Sequence, residues 1–213
     1  PGPAGSSAVN GLLEDRRGDL WVAPTGAGLV RLAGGRATRF TVADGLGHDS
    51  LNVVHEGRDG RLWVGTRGGG LTRLVDGRLA TVTTAHGMFD DTVFQVLEDA
   101  GGHLWLSSNR GVARVAIAEV DAVLDGRAAR VHPTVFGLGD GMRSAECNGG
   151  VQPAGTRGRD GRLSFATIRG VATVDPARLV ANRVPPLVRV SEVAVDGRPV
   201  ALAPRVVVPA GAR

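Results

Sequence analysis

Short apolar runs recur along this chain, each cut by a glycine-rich turn. Residues 51–84 show the unit most clearly. Leu51 to Glu56 is largely apolar and stops at Gly57-Arg58-Asp59-Gly60, residues that tolerate positive φ. Arg61 to Thr66 alternates around Leu62 and Val64, and Gly68 to Gly70 turns the chain again. Gly70 to Val75 and Leu79 to Thr84 flank Asp76-Gly77, a strong hairpin signal. Four short strands in about 42 residues make one antiparallel propeller blade.

The unit repeats. Trp21, Trp63 and Trp105 lie 42 residues apart, each inside a Gly-x-Leu-Trp phrase. A fourth copy, Gly161-Arg162-Leu163-Ser164-Phe165, follows after a longer interval, with Phe165 standing for the tryptophan. The flanks repeat as well: Glu14-Asp15, Glu56-Gly57 and Glu98-Asp99 upstream, and Gly28-Leu29, Gly70-Leu71, Gly111-Val112 and Gly170-Val171 downstream. Helical solenoids of similar period need continuous 3.6-residue patterns, which Gly68-Gly69-Gly70 breaks. The predicted fold is all-β: a partial propeller of four four-stranded antiparallel blades at about 9–42, 51–84, 92–136 and 145–176. Ala118 to Gly126 is read as a short helix ended by Gly126, which accounts for the longer interval. Trp21, Trp63, Trp105 and Phe165 are assigned to the blade core, filling the wedges between neighbouring blades. Residues 1–180 are assigned to the propeller, and 181–213 to a linker and the start of a β-sandwich.

Composition narrows the function. The 213 residues include 33 glycines, about twice the usual share, and 42% are hydrophobic, enough for a core. All 25 basic residues are arginine, offset by 21 carboxylates to a net charge of +4. They are scattered and often in turns (Arg16, Arg58, Arg162), which argues against nucleic-acid binding. Cys147 is the single cysteine, so no internal disulfide forms. There is no apolar run of about 20 residues and no leader-like N-terminus, and both ends read as those of a fragment.

Little here suggests catalysis. His48, His55, His86, His103 and His132 form no metal-ligand spacing, and nothing implies a cofactor. Cys147 has no basic partner placed by sequence and reads as a buried thiol. Ser144 and Ser164 sit in no nucleophile elbow. Propellers bind ligands where inter-blade connectors and the starts of the innermost strands converge. Those positions are His48, Asp49 and Asn52, then Asp90 and Asp91, then Arg143, Glu146 and Asn148. The set suits a hydroxyl-rich or charged small ligand, a carbohydrate being one option. The competing reading for each residue is a turn cap.

Several phrases carry a family resemblance. Glu14-Asp15 with Gly18-Asp19-Leu20-Trp21-Val22, Gly65-Thr66 with Gly69-Gly70-Leu71, and the connector Asp44-Gly45-Leu46 resemble the two-component regulator propeller repeat. Gly141-Met142-Arg143-Ser144-Ala145-Glu146-Cys147-Asn148-Gly149-Gly150 resembles the last blade of these sensors. Pro185-Pro186-Leu187-Val188-Arg189-Val190 and Val195-Asp196-Gly197-Arg198-Pro199-Val200 resemble the start of the immunoglobulin-like domain that follows. The resemblance implies a non-catalytic, ligand-sensing section of a periplasmic receptor region. Its partners are the remaining blades and a histidine kinase or diguanylate cyclase output module. An isolated fragment with open blade edges is expected to be prone to homodimerise. Two other readings compete: a protein-interaction propeller, and a propeller lyase with His48 and Glu146 as loose candidates.

Overall fold

The computed structural model describes residues 8–179, 193–195 and 198–200. The chain divides into two units, Pro1–Arg178 and Leu179–Arg213.

Unit one is built of antiparallel meanders. β1 (Val9–Glu14), β2 (Leu20–Pro24), β3 (Leu29–Ala33) and β4 (Arg36–Phe40) form the first sheet in that order. The second is β5 (Leu51–Glu56), β6 (Leu62–Thr66), β7 (Leu71–Val75) and β8 (Arg78–Val82). The third is β9 (Gln95–Glu98), β10 (His103–Ser108), β11 (Gly111–Ala116) and β12 (Thr134–Phe136), with α1 (Ile117–Leu124) between its last two strands. In the fourth, β13 (Gly155–Arg157), β14 (Leu163–Thr167) and β15 (Gly170–Val174) fall within the described residues. Asp175 then caps a turn at Pro176–Arg178 by accepting the Ala177 N–H at 3.1 Å.

Consecutive sheets stack through two apolar wedges. Trp21, Ala23 and Leu29 of the first sheet pack with Val54, Leu62, Val64 and Leu74 of the second. Trp63 and Leu71 of the second pack with Val96, Leu104, Leu106 and Val115 of the third. Side chains alternate across a strand, so each sheet sends its tryptophan forward and its Gly-x-Leu leucine back. Burying such a ring stabilises by about 3–5 kcal/mol, judged from truncation.

The fourth sheet departs from the predicted register. Trp21 pairs with Leu13 and Arg31, and Trp105 with Leu97 and Arg114. The equivalent pairs in the fourth sheet are Ser164 with Thr156 and Thr173. Ser164 therefore holds the tryptophan position, and Phe165, paired with Gly155 and Ala172, holds that of Leu106. One residue of slip moves a side chain to the other face. Phe165 is buried, facing back toward the third sheet rather than forward.

The helix expected over 118–126 runs from Ile117 to Leu124, and Gly126 follows at φ 71°. It sends Val120 and Val123 into the second wedge, and Asp121 bonds Arg61 and Arg73. Among the described residues of unit two, β16 (Val193–Val195) pairs antiparallel with β17 (Arg198–Val200). The 185–190 segment on which the sandwich expectation rests lies outside the described residues.

Candidate functional site

Each blade is joined to the next by a connector of one design. Thr41, Thr83 and Gly137 open it, their N–H groups donating to Asp44 Oδ2 (2.8 Å), His86 Nδ1 (3.1 Å) and Asp140 Oδ2 (2.9 Å). Gly45, Gly87 and Gly141 close the 3₁₀ turn at φ 103°, 89° and 91°, a region that favours glycine. Leu46 and Met88 then drop into the two wedges.

The next residues include half of the predicted site, His48, Asp49, Asp90 and Asp91, and the structure uses these four as caps. His48 Nδ1 accepts the Ser50 N–H at 2.8 Å, Asp90 Oδ1 that of Thr92 at 3.0 Å, and Ser144 Oγ that of Glu146 at 3.1 Å. Asp49 Oδ1 accepts the Val42 N–H at 3.0 Å, and Asp91 accepts both the N–H and the hydroxyl of Thr84, at 2.6 and 2.7 Å. These side chains close their own turns.

Asn52 serves between blades. It sits at an irregularity between Leu51 and Val53 where β5 slips against β6, as Asn10 does between β1 and β2. Such bulges re-aim a side chain. Asn10 Nδ2 donates to Leu51 O at 3.0 Å, and Asn52 Nδ2 to Val93 O at 3.1 Å and Thr66 O at 3.2 Å. Asn52 is fully buried, and its Oδ1 lacks a partner.

Arg143, Glu146 and Asn148 remain exposed, and no hydrogen bond or ion pair holds their side chains among the described residues. They lie along the third connector and the segment after it. That segment runs along the ends of second strands: Cys147 N donates to Ser108 O of β10 at 3.1 Å, and Asn148 N to Ala166 O of β14 at 2.9 Å. Gly149 lies against the Phe94 ring. Gln152 then clamps Val54 through its amide (3.2 and 3.3 Å), while its N–H donates to Asn10 O at 2.8 Å.

Gln152 and Arg67 are the residues that sequence reasoning missed. A Cβ on Gly150 would stand 3.2 Å from Arg67 Nη2, which puts that guanidinium beside the returning segment. Arg67 follows Thr66 just as Asn109 follows Ser108. That position after the second strand, polar in the first three blades (Thr25, Arg67, Asn109), was the available signal.

Two reactive groups are quenched. Burial pushes the Cys147 thiol up to about 11, so it stays protonated at neutral pH. Ser50 N–H donates to His48 Nδ1, so the proton of the neutral ring belongs on Nε2, which removes the lone pair a general base needs there. Among the described residues no three His, Cys, Asp or Glu side chains gather as a metal site requires. No helix among them is long and apolar enough to cross a membrane.

The opposite face carries the strand turns and a cleft of about 670 Å³ between the first two blades, lined in part by Asp15, Arg16, Trp21, Arg31 and Glu56. In the next wedge α1 fills the corresponding space with Val120, Val123 and Asp121.

Residues 45–68, one connector and two strands, match the two component regulator propeller family. The chain superposes on the extracellular domain of BT3049 from B. thetaiotaomicron, described as a hybrid two component system, at 17% identity and a TM-score of 0.64. The extracellular domain of BT4673 from the same organism gives 18% and 0.65. The fold is a β-propeller. The chain spans 22% and 24% of the length of those two structures, which cover 79% and 80% of it. Virginiamycin B lyase from Staphylococcus aureus superposes at 15% identity and a TM-score of 0.56, covering 82% of this chain, which spans 57% of the lyase. No curated protein matches the chain in sequence. At these identities the propeller takes its likeness from shape alone.

Proposed function

We propose that this chain is a ligand-sensing section of the extracytoplasmic propeller of a two-component-type receptor, without catalysis of its own. One observation carries the reading. The polar side chains of the first two connectors are consumed as caps and clamps, whereas Arg143, Glu146 and Asn148 on the third and just after it are left unbonded among the described residues. A cation, an anion and an amide within six residues suit a polar small ligand, with carbohydrates as the first class to test. The match at residues 45–68 and the likeness to extracellular receptor domains support an extracytoplasmic setting. A downstream output module is the partner this reading proposes.

The lyase reading loses support at His48, whose ring is committed to its own turn. The test is signalling by the parent receptor carrying Arg143→Ala with Glu146→Ala. The reading expects a blunted response at normal receptor abundance; a wild-type response from the double variant would remove this region from consideration.

A further inference from the structure

The first connector is latched onto the blade that follows it. Gly47 lies so close to Gly69 that a Cβ on either would strike the other's carbonyl oxygen. Gly47 N–H donates to Thr72 Oγ1 at 3.1 Å, and Thr81 Oγ1 donates to Gly45 O at 3.0 Å. Each part of that latch is exchanged one blade later. Phe89 follows Met88 as Gly47 follows Leu46. Ala113 and Val135, paired across β11 and β12, hold the positions of Thr72 and Thr81 on β7 and β8. The turn is shorter as well. Asn109, Arg110 and Gly111 separate Ser108 from Val112, where Arg67, Gly68, Gly69 and Gly70 separate Thr66 from Leu71.

The Cβ of Phe89 forbids the close approach that Gly47 allows, and Ala113 and Val135 have no hydroxyl to bond the connector. Here a cleft of about 740 Å³ opens, lined by Phe89, Arg110 and Val135 among others. That is within the roughly 300–1,000 Å³ of small-molecule sites. Met88 and Val131 extend its apolar lining, and Arg130 joins Arg110 on its polar side. Neither guanidinium has a hydrogen bond or ion pair among the described residues. No carboxylate lines the cleft. The acids bonded to its lining residues are committed there: Asp91 to the N–H and hydroxyl of Thr84, Glu119 to His132 Nδ1 at 2.6 Å. Blades two and three and the connector between them lie wholly within the described residues.

We propose that this cleft binds a small organic carboxylate with an apolar body, its charge held by Arg110 and Arg130 and its hydrocarbon laid against Phe89, Val131 and Val135. Guanidinium–carboxylate bonds fix the orientation, and removal of the hydrocarbon from water drives binding. The site is separate from Arg143, Glu146 and Asn148 and does not depend on a ligand there.

The test is an amide NMR titration of the full chain with phenylpropionate, phenylbutyrate and hexanoate, each beside its uncharged primary amide. At least one carboxylate should shift Phe89, Arg110, Val131 and Val135 saturably, and its amide should bind about tenfold more weakly. Arg110→Gln with Arg130→Gln should bring the acid and its amide to the same affinity. Both arginines are exposed, so this variant keeps the fold. Val135→Trp, which fills the cleft from a side chain that is 44% exposed, should abolish binding of both. Arg143→Ala with Glu146→Ala should bind as the parent chain does. Equal affinity for acid and amide in the parent chain, undiminished binding by the arginine or tryptophan variant, or no saturable shift with any of the three acids would overturn the proposal. So would loss of binding in the Arg143→Ala, Glu146→Ala variant, which would assign the anion to the third connector.

Discussion

Asn52 reaches across to the next blade and donates its amide to the carbonyl of Val93 at 3.1 Å, as Asn10 does to Leu51 at 3.0 Å one repeat earlier. The pair ties innermost strands that no sheet ladder joins. Asn52→Ala strips Val93 and Thr66 of a buried donor and should cost about 1–3 kcal/mol in urea unfolding. Asn10→Ala, at a more exposed site, should cost less. Equal and negligible effects would show that these amides do not hold the blades.

His55 occupies the position of Leu13 and Leu97, paired with Trp63, and its Nε2 is buried without a partner. Burial lowers its pKa to about 4, against an ordinary 6.5. The unfolded chain therefore binds a proton that the folded one refuses, and stability falls as pH drops from about 6.5 toward 4. The full effect is about 3 kcal/mol at 1.36 kcal/mol for each pH decade. His55→Leu should flatten that part of the profile and be the more stable protein at pH 5. Parallel urea curves for both proteins between pH 7 and pH 4.5 would contradict this.

Asp99 is almost wholly buried and accepts the Trp105 indole N–H at 2.9 Å and the N–H groups of Gly101 and His103. Burial alone would raise its pKa; the bonds from Trp105 and His103 outweigh burial and hold it below the ordinary carboxylate value. That stabilisation is present above the unfolded value near 3.9 and is lost as pH falls through the folded one. Asp99→Ala should cost about 1–3 kcal/mol at pH 7 by leaving a buried indole N–H unpaired. It should also flatten the acid limb of the stability profile. Asp15 holds Trp21 in the same way at 2.8 Å, whereas Gly57 offers Trp63 no side-chain acceptor.

A Cβ on Gly47 would lie 2.1 Å from Gly69 O, and one on Gly69 would lie 2.1 Å from Gly47 O. Here connector and strand turn meet backbone to backbone. Gly47→Ala should therefore destabilise by about 1–3 kcal/mol. Gly137→Ala, which meets nothing within 4 Å, should be neutral or slightly stabilising in the same denaturation assay.

The blades were legible because their cause is local and periodic. An indole every 42 residues, with Gly-x-Leu before it, fixes both strand alternation and forward packing. Legibility failed where that marker was missing: without a tryptophan, Ser164-Phe165 allows two registers a residue apart, and sequence favoured the aromatic. The capping roles of Asp49, Asp90 and Asp91 were visible as short polar residues in turns, but a cap and a ligand contact look alike in sequence. Gln152 was invisible because its partner Val54 lies 98 residues away and no repeat copies it. The inward fold of α1 was equally hidden: Asp121 finds Arg61 and Arg73 through tertiary packing.

The most direct test of ligand sensing at the third connector is an amide NMR titration of the chain with a panel of polar oligosaccharides. The account predicts that shifts induced by a binding sugar concentrate at Arg143, Glu146, Asn148 and Arg67, and vanish in the Arg143→Ala, Glu146→Ala double variant. Shifts confined to the opposite-face turns around Arg16 and Arg58, or none across the panel, would contradict it.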